Sequence, residues 1–577
     1  MKKPDSKQPE NTEKSPAAEG MTPDNPARRR FLAGASVIGL SSGILPLANA
    51  ATGPGTCTDN RHLLSRLPRK QQDSLLRKHI RNVVVIYAEN RSFNNLFANF
   101  PGVKHPLSAL KPEDTRQRDR NGDVLSHLPP VWKGLVPNEQ TVNHTRYQVP
   151  ENADYLQQLP NQPFALKGPG GEALPQGVIT RDLWHVFYQN QMQINGGKND
   201  KFVAWADSGA LTMGYYGDSA WNMRLWNLAR EYTLCDNFFQ GALGGSFLNH
   251  QYLVSARPPV YPEVHQSPAK DQVATLMSDD PADPRLKPLD DSPASALDGI
   301  PRFGPSQITP DGFAVNTMLP PYWPSGSRDK ADPALADRSS PKTLPPQTHP
   351  HIGNLLSARN IDWAWYAGGW QFAIEGKKDS NDFPARPDFQ LHHQPFNYFA
   401  DLGPEHPENR RQHLRDGGLG DTAETNKFLA DVEAGKLPPV TFYKPQGNLN
   451  MHAGYSDVES GDRHIAHIVD RLQQGPQWEN TLVVITFDEN GGWWDHVAPP
   501  KGDRWGPGTR IPALVISPYA RKGYVDHTQY DTGSILRLVS RIYDLPVLPG
   551  LKQRDEALQK NGHPAMGDLT GALEFPA

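Results

Sequence analysis

Two runs of apolar residues unbroken by charge stand out along the chain. Asn82 to Ala88 reads NVVVIYA, and Leu482 to Ile485 is the centre of TLVVITF. Short runs rich in valine and isoleucine read as strands buried on both faces of a parallel sheet. Each stops at a polar pair, Glu89-Asn90 in the first and Asp488-Glu489 in the second, the latter followed by Gly491-Gly492. Glycines let the chain turn sharply, so the pattern predicts these side chains at the carboxyl edge of a sheet, where open α/β sheets hold ligands. Further strands are predicted at Asn360 to Tyr366, Val440 to Tyr443 and Arg510 to Ile516. Helical patterns cover Leu63 to Ile80, Thr180 to Asn195 with His185 on it, Trp221 to Glu231, Phe247 to Ala256 and Asp531 to Ile542. Another helix carries Ile465, Ile468, Val469 and Leu472 on one face; Ser456 and Glu459 before it read as a capping box, and Gly475-Pro476 ends it. This alternation predicts an α/β class.

Carboxylate and amide oxygens from two strand ends suit a divalent cation, without choosing among Mg, Ca, Mn, Zn or Fe. An acid after a strand also serves as a helix cap or a solvated turn. The glycine-rich stretch from Gly241 to Gly245 presents Ser246 at a tight turn, where a hydroxyl is free of steric cover, as a nucleophile needs; an ordinary N-cap is the plainer use of that position.

Composition narrows the choices. At 577 residues and 37% hydrophobic, the chain can bury a large core. Lys and Arg number 59 against 63 acids, for a net charge of −4, and no basic patch is sustained, so a nucleic acid partner is not expected. Residues 1–50 read as a leader: Arg28-Arg29-Arg30-Phe31-Leu32, an apolar run to Leu47, and Ala48-Asn49-Ala50. The arginines suit the Tat class, which predicts engagement of the Tat translocon, cleavage after Ala50, no stable membrane anchor afterwards and a periplasmic or secreted product. An oxidising compartment permits a bridge between Cys57 and Cys235, the two cysteines of the chain. Residues 51–577 are expected to form a single catalytic domain, with a Pro-rich irregular insertion at about 258–350 wrapped on its surface.

Taken together, AENRSF, GGSFLNH, HHQPFNYF, NMHAGYS and FDENGGWWDHV resemble the bacterial acid phosphatase and phospholipase C superfamily of phosphoesterases. The resemblance runs from about Asn82 to Ile542 and implies an alkaline phosphatase-like three-layer sandwich: a central, mostly parallel sheet with helices on both faces and irregular insertions. It implies one divalent metal ion held by Glu89, Asn90, Ser246, Asp488 and Glu489, with Ser246 also the nucleophile. His185, His393 and His452 then contact the phosphate of a small phosphorylated substrate, His392 is a neighbour, and Asp495 and His496 brace the acid turn. Asn94 and Asn490 depart from the usual pattern. GGSFLNH is similar to the acid phosphatase branch, whereas the phospholipase C branch bears threonine at that turn. An acid phosphatase working through phosphoserine is therefore expected, and a mildly acidic preference follows from imidazoles titrating near 6.5. A phospholipase C or phosphodiesterase, or a non-catalytic periplasmic protein that binds metal or phosphate, are the alternatives.

Overall fold

Eight strands form the central sheet: β1 (Asn82–Ala88), β2 (Thr233–Cys235), β3 (Trp363–Gly368), β4 (Leu414–Gly418), β5 (Val440–Lys444), β6 (Thr481–Phe487), β7 (Ala513–Ile516) and β8 (Tyr524–Asp526). They lie in the order β4-β3-β5-β1-β6-β7-β2-β8, and only β7 runs antiparallel to its neighbours. The computed structural model describes residues 61–576 apart from 150–152, 154–155, 279–283 and 378–387. The leader and Cys57 lie outside the described residues; Cys235 is buried in β2.

Every residue of β1 and β6 is buried, which is why neither run carries a charge until it ends. Burying each valine or isoleucine contributes roughly 1.5–3 kcal/mol. The two strands pair in parallel with Ala88 opposite Phe487, so Glu89 and Asp488 are the next residues on adjacent strands. Chain segments 399 residues apart in sequence numbering thus become neighbours at one sheet edge, as β5 does on the other side of β1, where Tyr443 pairs with Ile86.

Helices cover both faces and complete the expected three-layer α/β sandwich. They include α1 (Arg69–His79), α2 (Phe187–Ile194), α3 (Arg224–Glu231), α4 (Ser246–Ser255), α5 (Lys427–Glu433), α6 (Val458–Gln474) and α7 (Gly533–Ile542). In one layer α6 packs against α3 and α5, and in the other α7 packs against α1 and α4. Among the described residues no helix is long and apolar enough to cross a membrane.

Three local expectations are corrected. The helix predicted from Thr180 begins only at Phe187, because the preceding backbone bonds elsewhere: Arg181 N–H donates to Leu135 O, and Trp184 N–H donates to the Asp207 carboxylate. His185 therefore lies on an irregular segment before the helix. The cap of α6 is Asp457, whose side chain accepts from Ser460 N–H, while the Ser456 hydroxyl is taken by Met451 N–H. The first helix starts after Pro68 and not at Leu63. The 258–350 stretch has little regular structure, yet Ile308, Val315, Met318 and Leu344 in it join the main core.

Candidate active site

Ser246 opens α4 from the glycine turn. Gly245 occupies the cap position with no side-chain cap bond, which puts Ser246 at the first helical residue with its hydroxyl uncommitted to the backbone. The turn needs its glycines, since a Cβ on Gly244 would stand 2.5 Å from the Phe187 backbone and one on Gly245 would stand 2.6 Å from His185 O. Asn249 pins the loop by accepting from Ala242 N–H and donating to Gly244 O.

The hydroxyl points at the acids from both strand ends. Ser246 Oγ lies 3.0 Å from Glu89 Oε2 and 3.3 Å from Glu489 Oε1. Glu89, Asp488 and Glu489 are all fully buried. Asp488 Oδ1 accepts from the backbone N–H groups of Asn90 and Glu489, leaving Oδ2 without a hydrogen-bond partner. Asn90 stands beside them, but its Oδ1 accepts from Ala453 N–H.

Their charge states differ because their surroundings do. Burial works against the Glu89 carboxylate, but Lys444 and His393 outweigh it and hold the group well below the usual range. Burial and then the Glu89 charge push Asp488 up to about 7. Burial raises Glu489 well above the ordinary carboxylate value, against the pull of His185. Two strained carboxylates beside an ionised one form a locus short of positive charge.

A cavity of about 310 Å³ opens onto Ser246, with Asp182, His185, His392, His452, Phe247 and Tyr455 among its walls. His185 Nε2 is 3.7 Å from Glu489 Oε1 and His452 Nε2 is 3.9 Å from Glu89 Oε2, so the two imidazoles flank the serine. Burial disfavours the His185 cation, yet Glu489 and Asp182 raise it to about 9. Burial lowers His452, whose Nδ1 is held by Ala453 O. His393 is not where the sequence places it. It is fully buried with Nε2 2.8 Å from Glu89 Oε1, and burial lowers it to about 4, while the adjacent His392 reaches the cavity. With His185 near 9 and His393 near 4, neither imidazole titrates near 6.5 as the sequence argument assumed. A larger cavity, of about 390 Å³ between Arg69 and Asp568, contains none of these residues.

Asp495 and His496 lie behind the site. Asp495 accepts from Asn94 N–H and Val497 N–H and pairs with buried Arg510, and His496 Nδ1 bonds Asn94 Oδ1. Asn94 is thus tied into this brace, and Asn490 bonds Gln240 and Trp493 O.

Sequence reasoning missed three contributors. Lys444 ends the β5 run as the acids end theirs, and its Nζ lies 2.5 Å from Glu89 Oε1. That shared design was the available signal. His250 falls one helical turn after Ser246, bonds Ser246 O through Nδ1, and stands 3.8 Å from Asp488 Oδ2. Asp182 carried no local signal, because an irregular segment in place of the expected helix presents it.

The donors fit a divalent cation. Glu89, His250 and Asp488 bring ligand atoms within 4.8 Å of one another, as do Glu89, His392 and His393, and also Asp182, His185 and His452. Buried oxygens with one unpartnered carboxylate atom suit a hard or borderline ion.

Phospholipase C B of Mycobacterium tuberculosis (strain ATCC 25618 / H37Rv) is 24% identical over 590 residues, covering 96% of this chain and 87% of that one. The non-hemolytic phospholipase C of Pseudomonas aeruginosa is 29% identical over 190 residues, 27% of this chain and 26% of that one. A solved protein in the alkaline phosphatase superfamily from Vibrio parahaemolyticus overlaps 67% of this chain and 72% of its own at 9% identity and TM-score 0.29, too slight an overlap to bear on fold or function. The profile of the Phosphoesterase family matches residues 80–546, and with a match over most of its length this chain belongs to that family and is a hydrolase of phosphate ester bonds.

Proposed function

We propose that the protein is an exported, metal-dependent phosphomonoesterase of the acid phosphatase kind, acting through a phosphoserine at Ser246. The observation that carries this reading is the Ser246 hydroxyl on Glu89 and Glu489, at the floor of a cavity that His185 and His452 flank. Glu89, Asp488, Glu489 and Ser246 are the residues to hold one divalent cation, with Asn90 beside them; a bound cation supplies positive charge that favours the serine alkoxide and offsets charge on the phosphoryl oxygens.

The Ser246 hydroxyl passes its proton to Glu489 Oε1, 3.3 Å away, as Oγ attacks phosphorus in line; the bond to the leaving oxygen breaks, and its electron pair leaves as an alkoxide. His185, held cationic by Glu489 and Asp182, donates the proton that neutralises it. His452 has its Nδ1 on a backbone carbonyl and its Nε2 free, which suits it to take a proton from the water that then cleaves phosphoserine. As the bond from Oγ to phosphorus breaks, Oγ takes its proton back from Glu489, phosphate leaves, and the proton on His452 passes through solvent to restore the His185 cation. A cationic His185 grips the phosphate dianion on the acid and neutral side and releases its proton only near 9.

The serine at the glycine turn and a cavity near the small end of ligand sites, which run from about 300 to 1,000 Å³, support small phosphomonoesters. The arginine-led leader supports Tat export to the periplasm. A phospholipase C is the second reading, favoured by the names of the relatives. Purified leader-free protein is tested on p-nitrophenyl phosphate, its bis ester and phosphatidylcholine. Phosphate release from the first alone supports the proposal, lipid cleavage supports the second reading, and turnover of none leaves a binding protein.

A further inference from the structure

Lys444 is an unusual residue to bury beside a cation site. Its side chain is fully buried, and among the described residues its one ion pair is with Glu89, at 2.5 Å. Desolvating an ammonium costs several kcal/mol unless a partner compensates. That partner is split between two tasks. Glu89 Oε1 receives Lys444 Nζ and His393 Nε2, at 2.5 and 2.8 Å, while Glu89 Oε2 alone meets Ser246 Oγ. Glu89 also belongs to a group with His392 and His393 whose ligand atoms come within 4.8 Å of one another and are of the kind that holds a metal ion, and within it His393 meets the oxygen that Lys444 occupies.

We propose that the Lys444 ammonium is a built-in cation of the centre, filling a second cation position formed by Glu89 Oε1, His392 and His393 and thereby confining the divalent ion to the Glu89 Oε2 side. Position and charge both bear on this. Strand β5 pairs directly with β1, and the register that sets Tyr443 against Ile86 leaves Lys444 level with Tyr87, so its side chain reaches along the sheet edge to Glu89. Glu89, Asp488, Glu489 and Asp182 carry up to four negative charges; with Lys444 against Glu89 and the imidazole of His185 between Glu489 and Asp182, two remain, the charge of a single divalent ion. His393 accordingly acts as a positioning residue for Glu89, and His392 is the member of the pair that faces substrate.

This deepens the one-cation reading above and rests on it. Metal-stripped full-length protein is titrated with Mn²⁺ by calorimetry. The wild type is expected to take one ion and Lys444→Met two, the second being lost again when His393→Leu is added. A folded Lys444→Met protein that takes only one ion overturns the proposal. A wild type that takes none overturns the one-cation reading itself, and the proposal with it. Thermal melts provide a second measurement should Lys444→Met fold poorly alone. Mn²⁺ is then expected to raise its melting temperature by more than it raises that of the wild type, and an equal or smaller rise overturns the proposal.

Discussion

Ser246 and Glu89, separated by 157 residues of chain, meet over 3.0 Å in a buried hydrogen bond from hydroxyl to carboxylate. The bond aligns the serine with the end of β1, and Glu489 approaches the same hydroxyl from the end of β6. A nucleophile placed so is expected to be indispensable. Ser246→Ala should lower turnover of p-nitrophenyl phosphate by roughly a thousandfold or more. Circular dichroism and metal content are expected to stay close to wild type, and full activity in the variant would remove the serine from the mechanism.

Asp488 is expected to link cation binding to pH. Burial and Glu89 raise its carboxyl from the usual 3.8 to about 7, so in the metal-free fold it favours the protonated form. Its contribution to metal-free stability is fully present below 3.8 and is lost as pH rises through about 7. A divalent ion competes with that proton. The gain in melting temperature on adding Mn²⁺ should therefore grow from pH 4 to pH 7, as calorimetry of stripped and loaded protein can record. Asp488→Asn should lower metal content by elemental analysis and flatten this dependence; a gain independent of pH argues against Asp488 as a ligand.

His185 is expected to matter most when the leaving group is poor. An alkyl oxide needs a proton as the bond to phosphorus breaks, whereas p-nitrophenolate does not. For His185→Gln the loss in kcat/KM should be about a hundredfold to ten-thousandfold with an alkyl phosphate, the usual range of general acid catalysis, and much smaller with p-nitrophenyl phosphate. Equal losses on both substrates would assign the residue to phosphate binding alone.

Gly245 is expected to tolerate no side chain. A Cβ there would lie 2.6 Å from His185 O, against backbone that carries the histidine. Gly245→Ala should cost about 1–3 kcal/mol in stability by overpacking and should also slow turnover, because the contact moves His185 relative to Ser246. Denaturant melts with parallel kinetics test both effects; unchanged kcat with lowered stability separates the turn from the histidine's position.

Much of the architecture was legible because its signals are local. NVVVIYA and TLVVITF are strands in any context that buries both faces, and their terminal acids mark the sheet edge. Gly244-Gly245 before a helical run announced a turn that presents Ser246. Other signals misled for want of partners: Thr180 to Val186 has a helical pattern, but its backbone groups bond to Leu135 and Asp207. The insertion lacks periodicity, yet Val315 reaches the core and the cavity wall.

Sequence by itself determined the α/β class, the two acid-tipped strands and the serine turn, since each depends on residues within a few positions of one another. Only the tertiary structure decided that β5 lies beside β1 and brings Lys444 to Glu89, and that of two consecutive histidines His393 turns to the carboxylate while His392 turns to the cavity. Strand order and side-chain direction are settled by packing among segments far apart in the chain, where the cost of burying a charge falls or rises with what another strand places beside it.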